Sequence, residues 1–208
     1  MEIAILLYDK FTALDCIGPY DVLRNMGANV TFVAEQRGEV RADSRMLGIT
    51  ADRSIDEVTS PDMLLIPGGF GTRALMAHQP IVEWIRAVHE HTQWTTSVCT
   101  GSLLLGAAGL LDGLDATTHW ASSELLETTG ARYTEQRWVR NGKIVTAAGV
   151  SAGIDMALML VNEIAGEETA MAIQLGIEYD PQPPFDCGAV SKAPKELVDM
   201  LRPLMQAE

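Results

Sequence analysis

The sequence predicts an α/β fold: a doubly wound, mostly parallel sheet with helices on both faces, a flavodoxin-like sandwich. The continuous apolar run at residues 3–7 and the one at 63–66 read as strands buried on both faces, and residues 29–34 and 94–98 read as two further strands. Stretches of helical spacing separate most of them, which is the alternation of a sheet covered on both sides. With 208 residues, 47% of them hydrophobic, the chain has material for one core, and residues 1–208 are expected to form a single domain.

Taken in order, residues 12–26 form a helix closed by Gly27, after the first strand. Residues 37–56 are polar, with β-like pieces near Gly38 and Gly48, and read as a small hairpin excursion. The strand at 63–66 ends in Pro67-Gly68-Gly69, and a helix follows over 80–91 with Pro80 in its first turn. The strand at 94–98 runs into Cys99-Thr100-Gly101 and a small apolar helix over 102–108. After a turn at Asp112-Gly113, residues 121–128 are helical. Residues 138–140 and 143–147 pair as a hairpin, the Asn141-Gly142 dipeptide suiting a type I′ turn. Helices are predicted over 151–164, with Ser151 as its cap, over 167–177 and over 194–205, the last after an irregular Pro/Gly-rich stretch at 180–193.

Charge and cysteine usage exclude several classes. Fifteen basic against 28 acidic residues give −13, which argues against nucleic acid and against an anionic membrane surface. No run approaches the roughly 20 apolar residues of a membrane span, and the first ten residues lack a basic segment, so no signal peptide is expected. Cys16, Cys99 and Cys187 are widely spaced, without a CxxC; they suggest a reduced cytoplasmic protein and no disulfide framework. No group has metal-ligand spacing, no dinucleotide or phosphate loop occurs, and no cofactor is expected.

The sharpest local feature is the strand–Cys99–helix junction. It has the context of a nucleophile elbow, which would expose the sulfur and favour thiolate at the helix start; a buried structural thiol is the alternative. Pro67-Gly68-Gly69 is either a tight turn or a loop offering N–H groups to a developing charge. Asp15, among apolar residues beyond the first strand, is either a helix N-cap or a buried carboxyl beside the nucleophile. His119, in Thr117-Thr118-His119-Trp120, is either a base or an ordinary buried histidine. Cys16 and Cys187 lack the elbow context and read as structural.

Taken together, Asp15, Pro67-Gly68-Gly69, Cys99 and His119 resemble, in order and approximate spacing, the ThiJ/PfpI (glutamine-amidotransferase-like) superfamily. Within it, the chain is most similar to the isocyanide (isonitrile) hydratases, through Leu14-Asp15, Gly18-Pro19, Asp21-Val22-Leu23, Ser97-Val98-Cys99-Thr100-Gly101-Ser102, Ala116-Thr117-Thr118-His119-Trp120, Ala152-Gly153-Ile154-Asp155 and Pro183-Pro184-Phe185. Thr100 stands where protease-like members place a histidine, and the chain leaves no room for the C-terminal helix-turn-helix of related regulators. Ala148 departs from the glycine that the hydratases favour there.

The resemblance implies a lyase of the hydro-lyase type. Cys99 would attack the isonitrile carbon to give a thioimidate, and Asp15 would carry protons. The N–H groups of Gly69 and Thr100 would steady developing charge, and the Thr100 hydroxyl would hold water or Asp15. Gly68, Ile17, His119, Trp120 and Val150 would shape the substrate site. A homodimer is implied as well. The alternatives are a glyoxalase- or deglycase-type enzyme acting on small carbonyls, and a cysteine redox sensor without turnover. Ile17, Phe70, Trp120, Val150 and Phe185 predict a narrow apolar cleft, few charges, no basic partner and a small neutral substrate.

Overall fold

The four predicted strands become neighbours at the centre of one sheet, and the two apolar runs among them lie side by side, where both faces are covered. The computed structural model describes residues 1–206. Its first half contains β1 (Glu2–Leu6), α1 (Ala13–Arg24), β2 (Asn29–Ala34), the hairpin β3 (Gly38–Arg41) and β4 (Gly48–Ala51), β5 (Arg53–Ser54), β6 (Met63–Ile66), α2 (Thr72–Leu75), α3 (Gln79–His91) and β7 (Trp94–Val98). The second half contains α4 (Gly101–Ala107), β8 (Asp115–Ala116), α5 (Ser123–Glu127), β9 (Arg132–Tyr133), β10 (Trp138–Asn141), β11 (Ile144–Ala147), α6 (Ala152–Ala165), α7 (Glu167–Gly176) and α8 (Lys195–Gln206).

The seven-stranded sheet has the order β10-β11-β7-β6-β1-β2-β5. All its pairings are parallel except β10 with β11. The chain moves one way from β1 to β2 and the other way from β6 to β7. Right-handed crossovers then put their connecting helices on opposite faces, as a doubly wound sheet requires. The order reverses between β1 and β6, and the carboxyl ends of β1, β6 and β7 open beside that switch point, where such sheets bind ligands.

The core bears out the strand readings. Ile3, Ile5, Leu6, Met63, Leu64, Leu65, Ile66 and Val98 are all essentially inaccessible. Some local readings change. The hairpin register pairs Asn141 with Ile144, so the turn residues are Gly142 and Lys143. Gly142 alone has a positive φ, +57°, which gives a type II′ turn in place of the expected I′. Ser151 is the α6 N-cap by position but makes no side-chain capping bond; its hydroxyl accepts from Arg137. The helix expected at 121–128 begins as a tighter 3₁₀ turn, Trp120–Ser122, before α5. Helix α2 and the two-residue strands β5, β8 and β9 were not predicted; they are too short to carry a period.

Candidate active site

Three chain segments meet at the switch point. The first turn of α1 brings Asp15, the loop after β6 brings Pro67-Gly68-Gly69, and the β7–α4 junction brings Cys99 and Thr100. Asp15 is not the helix cap. Thr12 holds that position, and Asp15 turns inward with no exposed surface. Its Oδ2 accepts the Gly68 N–H at 2.8 Å, whereas its enclosed Oδ1 has no hydrogen-bond partner.

The loop is pinned from both sides. The Tyr8 hydroxyl donates to Pro67 O at 2.6 Å, and the Thr12 N–H donates to Gly68 O at 2.8 Å. Gly68 must be glycine for a spatial reason. A Cβ there would lie 2.6 Å from the Thr100 nitrogen, 2.7 Å from Cys99 Cβ and 2.8 Å from Asp15 Oδ2. Acid, loop and nucleophile are thus packed around one missing methyl group. Gly69 has φ +140°, and a Cβ on it would meet Lys10 O at 2.3 Å.

Cys99 sits at φ +56°, in the left-handed region that non-glycine residues rarely occupy. Its backbone is held on both sides. The N–H donates to Ala148 O at 2.8 Å, and its carbonyl accepts from the hydroxyls of Thr118 at 3.0 Å and Ser102 at 3.2 Å. This is the strained turn that the elbow reading describes, over-determined by its surroundings.

Its electrostatics differ from the sequence expectation. The sulfur is not offered openly to solvent, since Cys99 is 6% exposed. Burial, and then the Asp15 charge, push the thiol well above its ordinary value, outweighing the Thr100 N–H and hydroxyl that favour thiolate. Burial likewise raises the Asp15 carboxyl from 3.8 to about 7, against the pull of the Gly68 N–H and the Cys99 thiol. Cys99 therefore holds its proton at rest, while Asp15 is poised to gain or lose one near neutrality.

Thr100 has a different task from the one expected. Its hydroxyl accepts the Gly69 N–H at 2.9 Å and reaches Gly69 O at 3.2 Å. The Gly69 N–H is already engaged, so it is not an open donor for developing charge, and the Thr100 hydroxyl serves the loop and the sulfur where Asp15 or water was expected. His119 is held neutral, its pKa lowered by burial and then by Arg73. Its Nδ1 accepts, at 3.4 Å, from the Ala121 N–H.

A cavity of about 160 Å³ opens on Cys99, with Gly69, Phe70, Thr100, His119 and Val150 in its wall. A larger cavity, about 500 Å³, shares His119 and Val150 with it and adds Trp120. The expected apolar cleft is therefore only partly right. Ile17 is half-buried on α1 and Phe185 is exposed; neither lines the Cys99 cavity, and Trp120 faces only neighbouring ones. Asp43 and Arg73 line it instead, so the expectation of no basic partner fails. Asp43 Oδ2 accepts from the Thr12 hydroxyl at 2.8 Å. One Arg73 amino group lies 2.9 Å from Met205 O and 3.4 Å from Ser122 Oγ. These residues went unread because the hairpin, α2 and the C-terminal helix bring them from distant sequence. Among the described residues no cluster could hold a metal ion, and no helix is long and apolar enough to cross a membrane.

The same arrangement has relatives. An isonitrile hydratase of Pseudomonas putida is 41% identical over 203 residues, covering 97% of this chain and 89% of that protein. The crystal structure of a ThiJ/PfpI family protein from Pseudomonas syringae superposes with a TM-score of 0.94 at 36% identity, covering 99% of this chain and 86% of that one. Drosophila melanogaster DJ-1beta shares the fold, with a TM-score of 0.77 at 21% identity over 85% of this chain and 97% of its own. The DJ-1/PfpI family model matches residues 1–163, the span that holds the sheet, Asp15, the glycine loop and the cysteine elbow. With that match and the near full-length similarity to the hydratase, the chain belongs to the DJ-1/PfpI family.

Proposed function

We propose that this protein hydrates isonitriles to N-substituted formamides, with Cys99 as nucleophile and Asp15 as proton carrier. The observation that carries the reading is the buried pair itself: a thiol against a carboxyl raised to about 7, one of whose oxygens has no partner. A group poised near neutrality is suited both to accept and to donate. The 41% identity to the Pseudomonas putida isonitrile hydratase supports the same substrate class.

The steps balance with water as the only co-reactant. The Cys99 sulfur bonds to the terminal carbon of R–N≡C as its proton passes to Asp15. The anionic carbon takes that proton from Asp15, giving R–N=CH–S–Cys99. Asp15, again a carboxylate, accepts a proton from water as its oxygen adds to the carbon. Asp15 passes that proton on to the nitrogen and returns to carboxylate, leaving R–NH–CH(OH)–S–Cys99. The carbon–sulfur bond then breaks, the hydroxyl proton returns to sulfur, and R–NH–CHO leaves. Thr100 steadies the sulfur as charge develops there, and neutral His119 and Val150 face the substituent.

We further propose a single-domain homodimer working in a reducing cytoplasm, where its three free cysteines would persist. The preferred substrate is small and neutral, because the cavity is only about 160 Å³ and its wall carries one acid, Asp43, and one base, Arg73, leaving no net charge for an ion. Formamide production from cyclohexyl isonitrile, measured for wild type beside Cys99→Ala, tests the reading. Turnover confined to the wild type supports it. Lactate formed from methylglyoxal without any formamide would replace it with the carbonyl reading.

A further inference from the structure

The C-terminal helix is attached differently from every other wall of the Cys99 cavity. None of its side chains is fully buried. Its inward stripe, Leu197, Val198 and Leu201, covers a small cavity against Trp120, and the Arg202 guanidinium lies 5.1 Å from the Trp120 ring centre. Its last turn is tied at two points. Arg73 donates to Met205 O at 2.9 Å across 132 residues of sequence, and the Gln206 side chain donates to Ala121 O at 3.0 Å.

Met205 then lines the Cys99 cavity itself. The other wall residues come from the loops after β6 and β7, from α2, from the β3–β4 hairpin and from the segments that lead into α1, α5 and α6. Met205 alone arrives on α8, held by the two ties of its last turn. A methionine is flexible and polarisable, and it yields to ligands of different shape more readily than Phe70 or Val150 would.

We propose that Met205, carried by the last turn of α8 and tied by Arg73, sets the size of the N-substituent that the Cys99 cavity accepts. The substrate part rests on the isonitrile reading above; the wall itself does not. Removing side-chain volume from a pocket changes discrimination between homologues by roughly tenfold or more.

The experiment compares wild type, Met205→Ala, Met205→Trp and Arg73→Gln. One readout is the kcat/KM ratio of cyclohexyl to methyl isonitrile. The other is the ratio of Cys99 labelling rates by N-cyclohexylmaleimide and N-methylmaleimide, located by peptide mapping. Met205→Ala should raise both ratios at least tenfold and Met205→Trp should lower both. Arg73→Gln should raise them and speed hydrogen exchange over residues 195–206. Ratios within twofold of wild type in both Met205 variants overturn the proposal, and unchanged exchange in Arg73→Gln overturns the tether. If wild type hydrates neither isonitrile, the substrate reading fails on its own, and the labelling ratios still decide the role of Met205.

Discussion

Above neutral pH, replacing Asp15 by Asn should move stability and activity in opposite directions. In the unfolded chain this carboxyl titrates near 3.8; in the folded protein burial raises it to about 7. The folded state therefore favours the protonated form. Wild type loses stability as pH climbs from the lower value to the higher, and loses no more beyond it. At 1.36 kcal/mol per pH unit, the charging cost is roughly 1–2 kcal/mol at pH 5 and roughly 4 kcal/mol at pH 8. Asparagine never bears that cost. It keeps an oxygen for the Gly68 N–H, but its amide nitrogen would occupy the site of the partnerless Oδ1, a constant penalty of roughly 1–3 kcal/mol. The pH-dependent part survives the offset: relative to wild type, Asp15→Asn should gain roughly 2–3 kcal/mol between pH 5 and pH 8. Urea melts at the two pH values read this directly. Formamide production should meanwhile fall by roughly 10²-fold or more, since the amide cannot carry the proton. A stability gap that is equal at both pH values would show that Asp15 is not held near neutrality. Turnover within threefold of wild type would remove it from the chemistry.

Gly68→Ala should lose roughly 1–3 kcal/mol of stability in denaturant melts and most of its turnover, because the added methyl pushes on the Thr100 nitrogen, Cys99 and Asp15 together; unchanged kinetics would mean that the loop gives way freely. Thr100→Val should fall in turnover more than Thr100→Ser, since only serine keeps an acceptor for the Gly69 N–H; equal steady-state rates would contradict this. Cys16, buried and pushed up to about 12, should stay unlabelled by iodoacetamide at pH 8 while half-buried Cys187 reacts, as mass spectrometry of peptides can establish. Light scattering at micromolar concentration should give the mass of a dimer, and a monomer mass would refute that proposal.

The readable part of this molecule was the part encoded locally. Burial on both faces demands continuous apolar runs, which made residues 3–7 and 63–66 legible as β1 and β6; residues 29–34 and 94–98, which fall on β2 and β7, were legible from their place in the strand–helix alternation. The elbow was legible as a strand running into Cys99 and then glycine. Asp15 was not resolved, because a cap and a buried acid both place aspartate in the first turn of a helix. What separates them is the Gly68 N–H, 53 residues away in sequence. The protonation state of Cys99 was misread for a related reason. A helix start argues for thiolate, but enclosure and a neighbouring carboxyl outweigh it, and enclosure is a tertiary property. Asp43, Arg73 and Met205 had no local signal at all. Each looks like an ordinary surface residue until the hairpin, α2 and α8 fold against the cavity.

The misread thiol bears on how the site would work. A thiolate formed in advance would leave its proton in solvent, away from the carbon that needs it. Hydration of R–N≡C needs a proton at carbon immediately after sulfur has bonded there. With Cys99 raised by burial and by Asp15, and Asp15 raised by burial, the pair keeps that proton inside until substrate draws the sulfur's electrons away. The carboxyl then holds the proton at the place where the new carbanion requires it. The rate should consequently follow the ionisation of the pair as a unit. It should rise with pH through the neutral region as Asp15 becomes able to accept, then fall once the shared proton is lost. Asp15→Asn should lose the rising limb near pH 7. An activity that instead climbed steadily with pH in wild type, and kept the same profile in the variant, would indicate simple thiolate attack and leave the buried carboxyl without this role.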